Sequence, residues 1–180
     1  MNILKRHSTP LQDEARRLKE REFGELMTSH RGIITKVCYM YARSGEEFKE
    51  LYQEVQINLW QSMDKFRGLS ARSTWIYRVS INTCISCYRR NRRHEDTLSL
   101  SDASMAELAD HATDDQEHAR CLREMYALIN RLPALDRAIM LMWLDEKSYQ
   151  EIADVTGLTR TNVASRLNRC KQRLARMSDT

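Results

Sequence analysis

Glycine and proline are the scarcest punctuation in this chain of 180 residues, with five glycines and two prolines. So few turn formers and strand breakers, beside many Leu, Arg, Glu, Met and Ala residues, argue against a many-stranded sheet protein and for an all-α fold. No apolar run reaches the roughly 18 residues that a membrane helix needs. Residues 1–10 hold Lys5 and Arg6 with no apolar stretch behind them, so no secretion signal is expected. The cysteines are odd in number, five, and scattered, which suits a reduced, cytoplasmic setting. Cys84-x-x-Cys87 has no second pair and no histidines at ligand spacing, so it reads as core packing and no metal is expected. A Gly-rich phosphate loop is lacking, and so is any nucleophile–base pair. Neither a cofactor nor a catalytic residue is expected, and the chain reads as a non-enzyme.

What is present is helical periodicity. Hydrophobic residues make up 42% of the chain and charged residues 30%, enough for a core in one domain or two small ones. Over residues 11–41, Leu18, Leu26, Ile33, Val37 and Tyr41 recur at helical spacing, with Gly32 as the expected break. Ser44 and Glu47 form the pattern of a capping box. The helix it opens carries Phe48, Leu51, Tyr52, Val55, Leu59 and Met63 on one stripe. A polar loop with Gly68 follows over residues 65–73, then a helix over 74–90. Residues 95–124 hold nine acidic residues against Arg120 and Arg123, and the first part of this stretch has little periodicity. It reads as a linker of about −7 that would compete with DNA phosphates for the basic remainder of the chain. Periodicity returns with Met125, Leu128, Ile129 and Leu132 before Pro133 stops the helix. The expectation is two small helical domains, residues 11–93 and 119–180, joined by an acidic linker over 94–118.

The last segment carries the sharpest local motif. Ser148 and Glu151 form a second capping box, which opens a short helix ending at Gly157, where a left-handed residue is expected. Thr159 suits the N-cap of the next helix, with Leu158 and Val163 as a hydrophobic staple. Two helices joined by a tight Gly turn are a helix-turn-helix. On the second of them Val163, Leu167, Cys170 and Leu174 share one face, while Thr161, Ser165, Asn168, Arg169 and Arg176 lie opposite. Residues 159–177 hold six basic side chains and no acid. A free face this basic suits the phosphate-lined major groove of DNA better than bare solvation.

Two earlier features leave alternatives open. In the 74–90 helix, Trp75, Arg78, Asn82, Ser86 and Arg89 form a polar stripe, and no acid occurs between Ala71 and His94. This is either the solvated edge of a core helix or a stacking surface for single-stranded bases. In the preceding helix Gln53, Ile57 and Trp60 form a second stripe. That is either a surface for a protein partner or, for Trp60, packing inside the domain.

The motifs together resemble a known family. Residues 50–55 (Glu-Leu-Tyr-Gln-Glu-Val), Asn58-Leu59-Trp60, Phe66-Arg67-Gly68 and residues 73–83 are similar to region two of bacterial extracytoplasmic-function sigma factors. Leu132-Pro133, residues 148–153 and residues 163–167 are similar to their region four. The likeness covers residues 23–93 and 121–174 in the family's order. It implies that Tyr52, Gln53, Glu54, Ile57 and Trp60 bind core RNA polymerase. It implies that Arg67, Arg72, Ser73, Trp75, Arg78, Asn82, Arg89 and Arg90 meet the melted downstream promoter element, Asn82 with the loop at a flipped base. Arg160, Thr161, Asn162, Ser165, Arg166, Arg169 and Lys171 would then contact the upstream element, and an anti-sigma factor would be a further partner. Glu50 stands where the family commonly has Asp. Ala164 stands where many members have Lys or Arg, which implies a different upstream preference. An ordinary repressor or activator with one helix-turn-helix is the competing reading; it would bind duplex DNA alone, usually as a dimer.

Overall fold

Three poor helix formers in a row, Thr28, Ser29 and His30, end the first helix of the chain. The computed structural model describes residues 10–95 and 116–178, and among them every regular element is helical. Helices α1 (Pro10–Ser29) and α2 (Arg31–Tyr41) meet at His30, not at Gly32. Gly32 sits in the first turn of α2, and a Cβ there would meet nothing within 4 Å, so the break does not need a glycine. The break brings Leu26 of α1 into one core with Ile34, Val37, Cys38 and Tyr41 of α2.

Helix α3 (Gly45–Ser62) starts on Ser44, whose hydroxyl accepts from the Glu47 N–H at 3.2 Å. The reciprocal half of the expected capping box is redirected. The Glu47 carboxylate accepts from the Arg43 backbone N–H at 2.8 Å, from the Arg43 guanidinium, and from the Asn91 amide at 3.1 Å. Burial is the largest influence on Glu47 and favours its neutral form, yet these bonds outweigh it and hold the carboxyl below its ordinary value. Leu51, Val55 and Leu59 face inward, each contributing about 1.5–3 kcal/mol of burial free energy. A single 3-10 turn (Met63–Lys65) leads into a loop where Gly68 has φ +70°. Helix α4 (Arg72–Glu95) outruns the expected 74–90 at both ends and packs Ile76, Ile81 and Cys84 against α2 and α3.

The second half consists of α5 (Gln116–Asn130), α6 (Ala134–Leu144), α7 (Tyr149–Thr156) and α8 (Arg160–Ser178). Pro133 occupies the N-cap position of α6, where its missing N–H costs nothing. Most of the acidic linker, residues 96–115, lies outside the described residues. Among the described residues no helix is long and apolar enough to cross a membrane.

The two halves pack against each other. Asp145, just past α6, accepts from Lys36 of α2 and from the Tyr77 hydroxyl of α4. The Tyr41 hydroxyl donates to the Ala134 carbonyl at 2.7 Å. Tyr39 and Tyr126 meet edge to face at 5.1 Å, and the Arg137 guanidinium lies 5.0 Å from the Tyr88 ring. Helix α7 rests on α4, where Arg78 donates to the Asp154 carbonyl. Burial first, and Asp145 second, push the Tyr77 phenol well above its usual pKa, so it remains a donor at any physiological pH.

Candidate nucleic-acid and partner interface

Three short-range devices fix where α7 starts, where it ends and where α8 begins. At the start of α7 the capping box is complete: the Glu151 N–H reaches the Ser148 hydroxyl at 3.2 Å, and the Glu151 carboxylate accepts the Ser148 N–H at 2.8 Å. That backbone bond first, then the Ser148 hydroxyl, hold the Glu151 carboxyl below its ordinary value. At the end of α7, Gly157 has φ +74°, and its N–H closes on the Ala153 carbonyl at 2.9 Å. Thr159 then caps α8 by accepting from the Asn162 N–H at 3.2 Å. Val163, Leu167 and Cys170 are buried and Leu174 half-buried, which turns the opposite face of α8 outward.

On that outer face Arg160, Thr161, Asn162, Ser165 and Arg169 are exposed, as the sequence anticipates. Two residues expected beside them are engaged with the scaffold. Arg166 is half-buried in an ion pair with Asp136 of α6, and the Lys171 ammonium lies 3.8 Å from the centre of the Trp143 ring. Neither partner was legible in the sequence, because Asp136 and Trp143 stand on another helix with no spacing signal.

In the first half, Arg67, Arg72, Arg78, Asn82, Arg89 and Arg90 are exposed. Trp75 and Ser73 are half-buried; the Trp75 ring lies 5.1 Å from Phe66, with the Arg72 guanidinium 5.9 Å from the Phe66 ring. The loop between them holds Leu69 at 92% exposure, an apolar side chain with no cover from its own fold. Asn82 shares a shallow cleft with Asn58, Ser86 and Arg90 between α3 and α4. Cys84 and Cys87 are both buried, which agrees with core packing. Among the described residues no cluster of His, Cys, Asp and Glu could hold a metal ion.

The second stripe of α3 divides. Gln53 and Ile57 are exposed and border a cleft with Glu54, Glu50 and Arg90. Trp60 instead packs edge to face on Phe23 of α1 at 5.2 Å, with the Lys19 ammonium 4.7 Å from its ring. Tyr52 is half-buried beside Phe48 at 5.8 Å. Trp60 is thus half-buried, with one side of its ring on α1.

Comparison with known proteins bears on both halves. Residues 26–94 match the family model described as Sigma-70 region 2, and residues 122–174 match Sigma-70, region 4. The RNA polymerase sigma-H factor of Pseudomonas aeruginosa is 30% identical over 172 residues, covering 90% of this chain and 89% of that protein. The ECF RNA polymerase sigma-E factor of Escherichia coli is 28% identical, over 85% and 84% of the two chains. Among solved structures, the sigma factor RpoE in complex with the anti-sigma factor NepR from Bartonella quintana superposes with a TM-score of 0.66 at 20% identity, over 89% of this chain and 96% of that one. CnrH in complex with the cytosolic domain of CnrY gives 0.64 at 17% identity. Those two likenesses concern the fold. Both conserved regions in the family's order, and a relative aligned over nearly its whole length, place the chain in the sigma-70 family, among the extracytoplasmic-function sigma factors that direct RNA polymerase to promoters.

Proposed function

We propose that the two exposed basic faces serve two stretches of one promoter. Helix α8 enters the major groove of the upstream element and reads it with Arg160, Thr161, Asn162, Ser165 and Arg169. Arg166 acts chiefly by bracing α8 on Asp136, and Lys171 by packing on Trp143. The loop before α4, with Arg67, Arg72, Ser73 and Trp75, joins Arg78, Asn82, Arg89 and Arg90 in holding the melted downstream strand. Gln53, Glu54 and Ile57, with Tyr52 and Trp60 beside them, form the contact to core polymerase. The division of labour follows residues 11–93 and 119–180, with 94–118 spanning between them.

The chain acts by binding, with no catalytic group of its own, and works in the cytoplasm where polymerase is. Two solved relatives are complexes with NepR and CnrY, which supports a protein partner of the anti-sigma kind for this chain as well. The observation that carries the reading is the outer face of α8, exposed along its length and free of acidic residues. The test is to mix the full chain with core polymerase and measure initiation from a specific promoter. Arg169→Ala then weakens recognition of the upstream element by roughly 1–3 kcal/mol and relaxes one base position. Tight binding of a palindromic duplex by a dimer without polymerase would overturn the sigma-type reading.

A further inference from the structure

The outer face of α8 does not stop at the positions assigned to base reading. Gln172, Arg173 and Arg176 continue it past Arg169, and Arg131, in the turn after α5, reaches the same place. Together with Met177 they line one open pocket at the far end of α8, and among the described residues that line it there is no carboxylate. At 1.5 Å per residue, Thr161 and Arg176 lie about 22 Å apart along the axis. The major groove is about 12 Å wide, and a recognition helix uses its N-terminal residues on base edges. The distal half of α8 must therefore leave the bases and pass over the sugar-phosphate backbone.

We propose that Arg131 and Arg173 form a phosphate clamp that grips the DNA backbone beside the upstream element. The assignment rests on α8 being the reading helix and adds a site outside the helix-turn-helix proper, since Arg131 belongs to neither α7 nor α8. Guanidinium groups suit this task because their planar fork matches two phosphate oxygens. About two helical turns of α8 and the end of α5 hold the clamp in fixed register with Ser165 and Arg169. Its role is to set how deep α8 lies and in which frame it reads, with no preference among bases of its own.

The experiment uses the full chain bound to core polymerase and a promoter duplex, with affinity measured across a range of salt. Each phosphate contact contributes about 0.9 to the slope of log affinity against log salt. Arg131→Ala with Arg173→Ala is expected to flatten that slope by about two contacts and to weaken matched and scrambled upstream elements by the same factor. Arg131→Lys with Arg173→Lys keeps both charges and is expected to restore most of the slope. This pair also guards against misfolding of the alanine variant. An unchanged slope while the wild type binds its promoter normally overturns the clamp. So does a loss confined to the matched element, which would make these residues base readers. Arginine-dependent binding of inorganic pyrophosphate to the free chain at micromolar concentration, with no effect on DNA, would also overturn it in favour of a small-anion site. If the wild type shows no promoter-specific binding with polymerase, the assignment of α8 itself fails, a different outcome from any of these.

Discussion

At Gly157 one residue decides the angle of a helix pair. Its φ of +74° is a conformation that side chains with a Cβ resist, while a Cβ placed there would meet nothing within 4 Å. The cost of substitution is therefore conformational and not steric. Gly157→Val is expected to destabilise the fold by at least about 1–2 kcal/mol, and Gly157→Asn by less, since Asn tolerates the left-handed region. Thermal melts of the two variants check the order; equal melting temperatures for valine and wild type would show that the turn relaxes freely. Trp60 and Ile57 make a second pair to compare. Trp60 is held between Phe23 and Lys19, whereas Ile57 is 42% exposed. Ile57→Ala should leave the melting temperature nearly unchanged and weaken binding to core polymerase. Trp60→Ala should lower both, by a fraction of the 3–5 kcal/mol typical of a fully buried tryptophan. A stable Trp60→Ala protein would mean that the contact with α1 adds little.

The elements show how far local chemistry reaches. The start of α7 and its end at Gly157 follow from four or five neighbouring residues, so their sequence signature is complete and the structure matches it. At α3 the signature was half right. Ser44 caps as expected, but the Glu47 carboxylate turns to the Arg43 backbone and side chain and to Asn91, 44 residues away. That bond between helices ties the start of α3 to the end of α4 and has a pH signature. The Glu47 carboxyl lies below its ordinary value of 4.5 in the fold, so its contribution to stability is complete above that pH. It fades as the pH falls through the lower folded value. The stability advantage of wild type over Glu47→Gln should therefore be constant from pH 8 to about 5 and shrink in more acid solution. Chemical denaturation at several pH values tests this, and an advantage that grew on acidification would contradict the sign. The break between α1 and α2 was misplaced for a related reason. Gly32 is the weakest helix former of this stretch, yet the weak run of residues 28–30 and the phase of the buried stripe put the break two residues earlier.

Across the whole molecule, Asp145 is one of the residues through which the halves hold each other. It gathers Lys36 and the buried Tyr77 hydroxyl, and next to it Arg78 is drawn to the Asp154 carbonyl of α7. Arg78 is a candidate contact to melted DNA, so in this arrangement one of the downstream cations is occupied by the helix-turn-helix. Asp145→Ala leaves a buried phenol without its acceptor, a loss of roughly 1–3 kcal/mol. The expected result is a looser pair of halves, seen as a larger radius in solution scattering, and severalfold tighter binding of single-stranded downstream DNA by the free chain at low salt. If the radius grows while DNA affinity stays fixed, the packing does not mask Arg78.

The sequence by itself determined the helices, the two regions and their order, the Gly157 turn and the outward basic face of α8. Each of these depends on residues within a few turns of one another, where periodicity and capping leave a readable pattern. Only the tertiary structure decided that Arg166 and Lys171 turn to Asp136 and Trp143, that Trp60 packs on α1, that Arg131 joins the arginines of α8, and that the two halves share a contact through Asp145. Those outcomes depend on side chains 28 to 109 positions apart. A charged residue at the edge of an amphipathic face looks the same in sequence whether its partner is a phosphate, water or a carboxylate on another helix; the packing angle between helices makes the choice.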